Sequence, residues 1–284
     1  MDFTVDTAAD AVEASFAGAD DPRLREILGS LTRHLHGFVA EVSPTIEEWG
    51  AAIGFLTSVG SWCTDTRQEY ILLSDVLGVS MLVETLNGRA QGTESTVLGP
   101  FHMTESPVRE LGESTDLIGG SRPCVVSGYI RNTAGEPLPG AEIDVWQCTE
   151  DGFYDVQQPD VQPAGNGRGL FHADGDGGYW FRTVVPAHYP IPTDGPVGKL
   201  LTATGRHPYR PGHVHFIVGA EGHEPVTTHA FVSDSPYIDS DAVFAVKKGL
   251  LVDFAPCDDL ELAARFGVES PFIHARFDLV LNPL

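Results

Sequence analysis

A mainly-β fold, a β-sandwich catalytic domain preceded by an α-helical region, is predicted by three features of the sequence. Apolar residues recur at three- and four-residue steps through roughly the first hundred positions, the spacing that gives a helix one apolar stripe. After Pro123 the pattern changes to short β-rich runs separated by glycine and proline, as in a sandwich or barrel. Two long Gly/Pro-rich stretches, Gln157 to Gly178 and Tyr189 to Gly212, interrupt those runs, and loops of that length in a compact domain usually carry function.

The first helix is predicted from Arg23, with Leu24, Ile27, Leu28, Leu31, Leu35 and Phe38 on one face. A second opens at Ser43-Pro44-Thr45: proline suits a first turn, and Thr45 with Glu48 has the spacing of a capping box. Trp49, Ala52, Ile53 and Leu56 then form its apolar face. A third is predicted over 67–86 and stops at Asn87-Gly88. Strands are predicted over 124–131, 141–148, 178–185, 213–218, 226–232 and 276–281, with a turn cluster from Asn132 to Gly140. The domain division follows: residues 1–100 helical, residues 101–284 a β-sandwich.

Composition narrows the function classes. Among 284 residues, 17 Lys+Arg stand against 40 Asp+Glu, a formal net charge of −23. Such a surface repels phosphate backbones and anionic headgroups, so nucleic acid and polybasic membrane docking are excluded as partners. A small molecule or a second copy of the chain is expected instead. Cys63, Cys124, Cys148 and Cys257 are far apart with no C-x-x-C pair, which fits buried thiols of a reducing compartment. No basic-then-apolar leader follows Met1-Asp2-Phe3-Thr4, and no apolar run reaches membrane-spanning length. The expectation is a cytoplasmic protein without membrane insertion.

The strongest local signal is Arg210-Pro211-Gly212-His213-Val214-His215-Phe216. Histidines at i and i+2 of a strand share one face, so both imidazoles can reach one ion. Alone, such a pair is more often an ordinary pair of strand histidines. A facial-triad iron(II) site would need a carboxylate, and Glu221, the nearest one after the pair, falls where the strand should have ended. Tyr154, after Gly152-Phe153, and Tyr189, in Val185-Pro186-Ala187-His188-Tyr189-Pro190-Ile191-Pro192, offer another chemistry. A phenol of pKa near 10 becomes a hard anionic donor beside a strongly charged cation such as iron(III).

Taken together, Gly152-Phe153-Tyr154, Val185-Pro186-x-x-Tyr189-Pro190-x-Pro192 and Arg210-Pro211-x-His213-x-His215 resemble the intradiol ring-cleaving dioxygenases, non-haem iron(III) enzymes with a site of two tyrosines and two histidines. The gaps agree, 35 residues from Tyr154 to Tyr189 and 24 more to His213, and the family's catechol branch also has a helical N-terminal region before its β-sandwich. The resemblance implies one Fe(III) per subunit held by Tyr154, Tyr189, His213 and His215, with Tyr189 and His215 axial. It implies that Tyr189 is catalytic, leaving the metal when substrate binds. Arg210 would be catalytic too, stabilising charge on the ring, and His229 would orient a ligand. The helical region would form a homodimer with a phospholipid bound at the dimer interface.

Within the family, Val145-Trp146-Gln147, Asp151 to Pro159, Tyr189 to Gly198, Thr204 to Pro208 and Ser240 to Phe244 are similar to the hydroxyquinol-cleaving branch. That implies O2-dependent cleavage of hydroxyquinol (1,2,4-trihydroxybenzene) to 3-hydroxy-cis,cis-muconate, or maleylacetate, in aromatic catabolism. The substrate wall it implies has Leu72 and Asp75 on one helix face, then Val97, Gly99, Pro100 and Phe101. Ile191, Pro192, Arg210 and Val243 complete it. Asp75 stands where catechol enzymes have proline, and a carboxylate there accepts a hydrogen bond from a third ring hydroxyl. Gly212 replaces a frequent alanine, which is expected to loosen its loop. Arg168, in the loop after Tyr154, is left outside the predicted site as a residue that would at most shape or close it. Two alternatives stay open: a catechol or chlorocatechol dioxygenase, and, since Gly135-Glu136-Pro137-Leu138-Pro139-Gly140 before a strand is also common in non-catalytic β-sandwiches, a non-catalytic binding module.

Overall fold

The computed structural model describes residues 3–64, 67–88, 91–102 and 105–284; Met1 and Asp2, where the leader reading begins, lie outside them. The chain divides into two compact units, Met1–Ser58 and Val59–Leu284.

The first unit contains α1 (Ala8–Ser15), α2 (Pro22–Val42) and most of α3 (Ile46–Ser61). Asp21 starts α2 by accepting the Arg23 amide at 2.8 Å, with Pro22 in the first turn. The capping box of α3 forms as expected: the Glu48 amide donates to Thr45 Oγ1 at 3.2 Å, and the Thr45 amide to Glu48 Oε2 at 2.8 Å. Helix α1 packs on α2 where Gly29 leaves room, since a Cβ there would meet the Glu13 carboxylate at 3.0 Å. Glu13 also pairs with Arg33. The buried positions of α2 are Gly29 and Thr32. Its predicted apolar stripe faces outward instead, with Leu31 51% and Phe38 58% exposed. The periodicity correctly located the stripe, but in the single chain it is not core.

In the second unit the helix predicted over 67–86 is two helices, α4 (Glu69–Val76) and α5 (Val79–Asn87). Gly78 between them has φ +72°, a left-handed conformation that ends α4 and that glycine adopts without the Cβ clash. The strands are β1 (Pro123–Asn132), β2 (Glu142–Trp146), β3 (Arg168–His172), β4 (Gly178–Val184), β5 (Tyr189–Pro190), β6 (Tyr209–Arg210), β7 (His213–Gly219), β8 (Val226–Val232), β9 (Leu251–Val252), β10 (Ala255–Cys257), β11 (Phe272–Arg276) and β12 (Leu279–Leu281), with α6 (Pro196–Ala203) and α7 (Leu260–Phe266) among them. The strand predicted over 276–281 therefore breaks: the Phe277 amide turns to the Ser127 carbonyl, and Asp278 accepts the Tyr129 amide. Both long loops are partly ordered, one by β3 and the other by α6.

One sheet has the order β10-β11-β1-β12 with β4 also on β1, the second β3-β2-β7-β8-β9, and β5 with β6 forms a small ribbon. The two larger sheets pack face to face through Phe171 on Phe181 at 5.2 Å and Tyr179 against Phe216 at 6.1 Å. Tyr179 donates its hydroxyl to the Phe277 carbonyl at 2.6 Å, so the ring is buried without an unmet polar end. The result is the predicted β-sandwich. Across its second sheet, Arg168, Trp146, His215 and His229 are successive cross-strand partners on β3, β2, β7 and β8.

Candidate metal centre

His213 and His215 point to one face of β7, as their spacing required, and both are fully buried. The approach of chain to chain here depends on Gly212. A Cβ at that position would lie 2.3 Å from the Pro186 carbonyl, so this glycine permits a tight packing and does not loosen the loop as expected. Its amide donates to Ser235 Oγ at 2.7 Å. Gly152, with φ +83°, plays a similar part for Tyr154: a Cβ would meet the His188 carbonyl at 3.2 Å. Tyr189 on β5 is paired in register with Arg210 on β6.

These elements bring four donor atoms into a closed ring. Tyr154 Oη lies 3.2 Å from Tyr189 Oη and 3.1 Å from His215 Nε2. His213 Nε2 lies 3.1 Å from His215 Nε2 and 3.5 Å from Tyr189 Oη. Edges of this length suit ligands about 2.0–2.3 Å from one shared ion. His213 Nδ1 is 2.7 Å from the Pro211 carbonyl, so it carries the proton and leaves Nε2 as a bare lone pair. Burial, then the Arg210 charge, holds His213 neutral well below the usual imidazole range; for His215 burial and then His229 do the same. Burial raises the Tyr154 phenol well above its ordinary range, with Tyr189 adding to it, and raises Tyr189 as well against the pull of Arg210. Neutral imidazoles beside phenols that only a strong cation would ionise are a donor set that fits iron(III).

His229, also fully buried, packs ring against ring on His215 at 4.2 Å and on His213 at 4.6 Å. The three histidines form a cluster able to hold a metal. The Nε2 atoms of His213 and His215, however, meet the phenols, while His229 Nδ1 hydrogen-bonds Thr96 Oγ1. Glu221 is exposed and takes no part.

Arg210 is buried and directs Nη1 at the ring of donors, 3.3 Å from His213 Nε2 and 3.5 Å from Tyr189 Oη. Its Nε donates to Asp241 Oδ1 at 3.1 Å. Burial works against its charge, but Asp241 and the neighbouring phenols outweigh burial and raise its pKa. Asp241, buried itself, also accepts the amides of Val243 and Ala245. Sequence reasoning missed this partner; an acidic residue 31 positions away carries no local signal.

Of the predicted substrate wall, Phe101 stacks on Tyr154 at 4.5 Å, and Gly99, with φ +78°, comes so close that a Cβ would sit 3.0 Å from His215 Cε1. Val243 is tied to Asp241, and Ile191 follows the ribbon, its amide on the Pro208 carbonyl. Leu72, Asp75 and Val97 are buried; Pro100 and Pro192 are half-buried. Asp75 Oδ1 has no hydrogen-bond partner among the described residues. Burial raises its pKa, against a hydrogen bond from Ser80 and the charge of Arg210.

Comparison with known proteins adds a separate line of observation. A sequence model described as Dioxygenase matches residues 100–283, and one described as Catechol dioxygenase N terminus matches residues 21–94. A hydroxyquinol 1,2-dioxygenase of a Rhizobium species is 52% identical over 267 residues, 93% of this chain and 90% of the relative. The solved hydroxyquinol 1,2-dioxygenase of Pseudomonas putida superposes with a TM-score of 0.91 at 43% identity, covering 99% of each chain. A catechol 1,2-dioxygenase from an Acinetobacter species, solved with bound mercury, gives 0.81 at 28% identity, covering 100% of this chain and 93% of the other.

Proposed function

The chain belongs to the intradiol ring-cleaving dioxygenases, non-haem iron enzymes, and from that premise we propose that it cleaves hydroxyquinol with O2 to 3-hydroxy-cis,cis-muconate, the tautomer of maleylacetate. The observation that carries the reading is the buried ring of four donors, Tyr154, Tyr189, His213 and His215. These four are the proposed ligands of one Fe(III) per subunit. A ferric ion held there would supply Lewis acidity toward the diol oxygens of the substrate.

The protein's residues do the rest. Tyr189, at hydrogen-bond distance from Arg210, would be a phenolate when it holds the iron and would then accept a substrate proton at its Oη. Arg210, aimed by Asp241, stabilises the negative charge on the ketonised ring. Asp75 accepts the third hydroxyl, and Phe101, Gly99, Pro100, Val97, Leu72, Ile191, Pro192 and Val243 wall the ring. His229 orients His213 and His215 by packing against both. A non-catalytic sandwich module has no use for two phenols and two imidazoles buried around one point.

Reconstitution with ferric iron tests the ligand set. The wild-type protein is expected to show a visible tyrosinate-to-iron charge-transfer band that shifts or disappears in Tyr154→Phe and Tyr189→Phe. An unchanged band in either variant excludes that tyrosine as a ligand.

The acidic surface and unpaired cysteines support a cytoplasmic setting, and no helix among the described residues is long and apolar enough to cross a membrane. We assign dimerisation to the helical region 1–100, where the outward stripe of α2 is the kind of apolar surface that marks an interface. An apolar cleft of about 510 Å³ lined by Phe3, Val5, Ala8, His36 and Val39 supports the phospholipid reading. Sedimentation should give twice the monomer mass; a monomer at micromolar concentration would refute the assignment.

A further inference from the structure

We propose that Arg168 is a positioning residue that sets the separation of Tyr154 and His215; the inference rests on the metal-centre reading above. Arg168 lies on β3 and is 1% exposed. Its Nε donates to Asp155 Oδ1 at 2.8 Å, and Nη2 comes within 2.7 Å of the same oxygen. Asp155 is the residue directly after Tyr154, and its other oxygen accepts the Gly165 amide at 2.9 Å. The ion pair therefore ties the backbone beside Tyr154 to the loop that leads into β3.

The same guanidinium reaches the ring side of Tyr154. Nη2 donates to the Phe101 carbonyl at 2.9 Å, and the Phe101 ring stacks on the Tyr154 ring at 4.5 Å and 25°. On the sheet, Arg168 is the cross-strand partner of Trp146, whose indole lies parallel to His215, 4.5 Å away and 8° off plane. Trp146 is in turn the cross-strand partner of His215. One planar fork thus braces Tyr154 at its backbone and across its face, and stands at the end of the row that backs His215. The two donors so braced lie 3.1 Å apart. Lysine offers a single flexible ammonium and cannot hold a carboxylate and a carbonyl at fixed angles as the guanidinium does.

A lone Arg168→Met strands the Asp155 carboxylate in the interior and is strongly destabilising, so the deciding protein is the double variant Asp155→Leu/Arg168→Met. Apolar groups of similar volume often replace a buried ion pair without loss of stability. With ferric iron restored, that variant should fold with only a modest loss of melting temperature, from the Phe101 carbonyl and Gly165 amide left without their partners, but show a shifted visible band and a kcat for hydroxyquinol lowered about 10- to 100-fold, as for other residues that orient metal ligands. Arg168→Lys, which keeps the charge, should show a shifted band as well. A wild-type band and wild-type kcat in the double variant would overturn the proposal; if the double variant does not fold, a wild-type band in Arg168→Lys overturns it. A wild-type protein with iron bound but no band overturns the metal-centre reading and this inference with it, a failure told apart because the wild type itself is colourless.

Discussion

Asp75 is 3% exposed, and one of its carboxylate oxygens has no hydrogen-bond partner among the described residues. A buried acceptor left unpaired costs about 1–3 kcal/mol, a cost that a third ring hydroxyl would offset and catechol would not. Replacing Asp75 with alanine should therefore lower kcat/KM for hydroxyquinol by about 10- to 100-fold and leave catechol nearly unaffected. A parallel loss on both substrates would show that Asp75 only supports packing. At this scale the sequence was legible where chemistry is local. His213 and His215 share a strand face by spacing alone, and Asp75 lies one helical turn beyond Leu72 on a face that is buried. Asp241 was not legible as a site-shaping residue, and Arg168 was legible only as a weak candidate for shaping the site, because their partners, Arg210 on one side and Asp155 with Phe101 on the other, meet them only through the fold.

Strands β7 and β8 place three imidazoles, His213, His215 and His229, side by side in the interior, each held neutral well below its ordinary range by burial first. In the unfolded chain the same groups protonate near pH 6.5. Below about pH 6.5 the unfolded state thus binds more protons than the folded one, and stability must fall as pH falls. Asp75 acts in the opposite sense: its raised pKa costs stability at neutral pH and recovers it on protonation. With three imidazoles against one carboxyl, the metal-free protein is expected to lose melting temperature steadily from pH 7 to pH 5; a flat profile would contradict this. The elements themselves were readable wherever a single periodicity ran unbroken, as in α2, β1 and β8. The helix over 67–86 misled because apolar spacing continues across Gly78, and only its positive φ stops α4. Strand β3 was hidden in a Gly-rich stretch; the register with β2, not its own composition, makes it a strand.

Over the whole molecule the charge of −23 cannot attract a substrate that becomes anionic on chelation. The buried cations do little to change that sum, since Arg210 is matched by Asp241 and Arg168 by Asp155. On the proposed reading attraction would be confined to the iron and to the Nη1 of Arg210, which faces Tyr189 Oη and His213 Nε2, while the acidic exterior disfavours polyanions. The fold class was readable from the change in periodicity near residue 100, whereas the outward stripe of α2 was not: spacing shows that a helix has an apolar face and is silent on whether that face meets its own chain. The central claim is that this iron-tyrosinate site, with a carboxylate on its wall, acts on a triol. Steady-state kcat/KM of the iron-loaded protein for hydroxyquinol against catechol tests it most directly. A ratio of at least about 10 in favour of hydroxyquinol is expected, from the cost of leaving Asp75 unpaired; equal values, or a preference for catechol, would refute the triol reading.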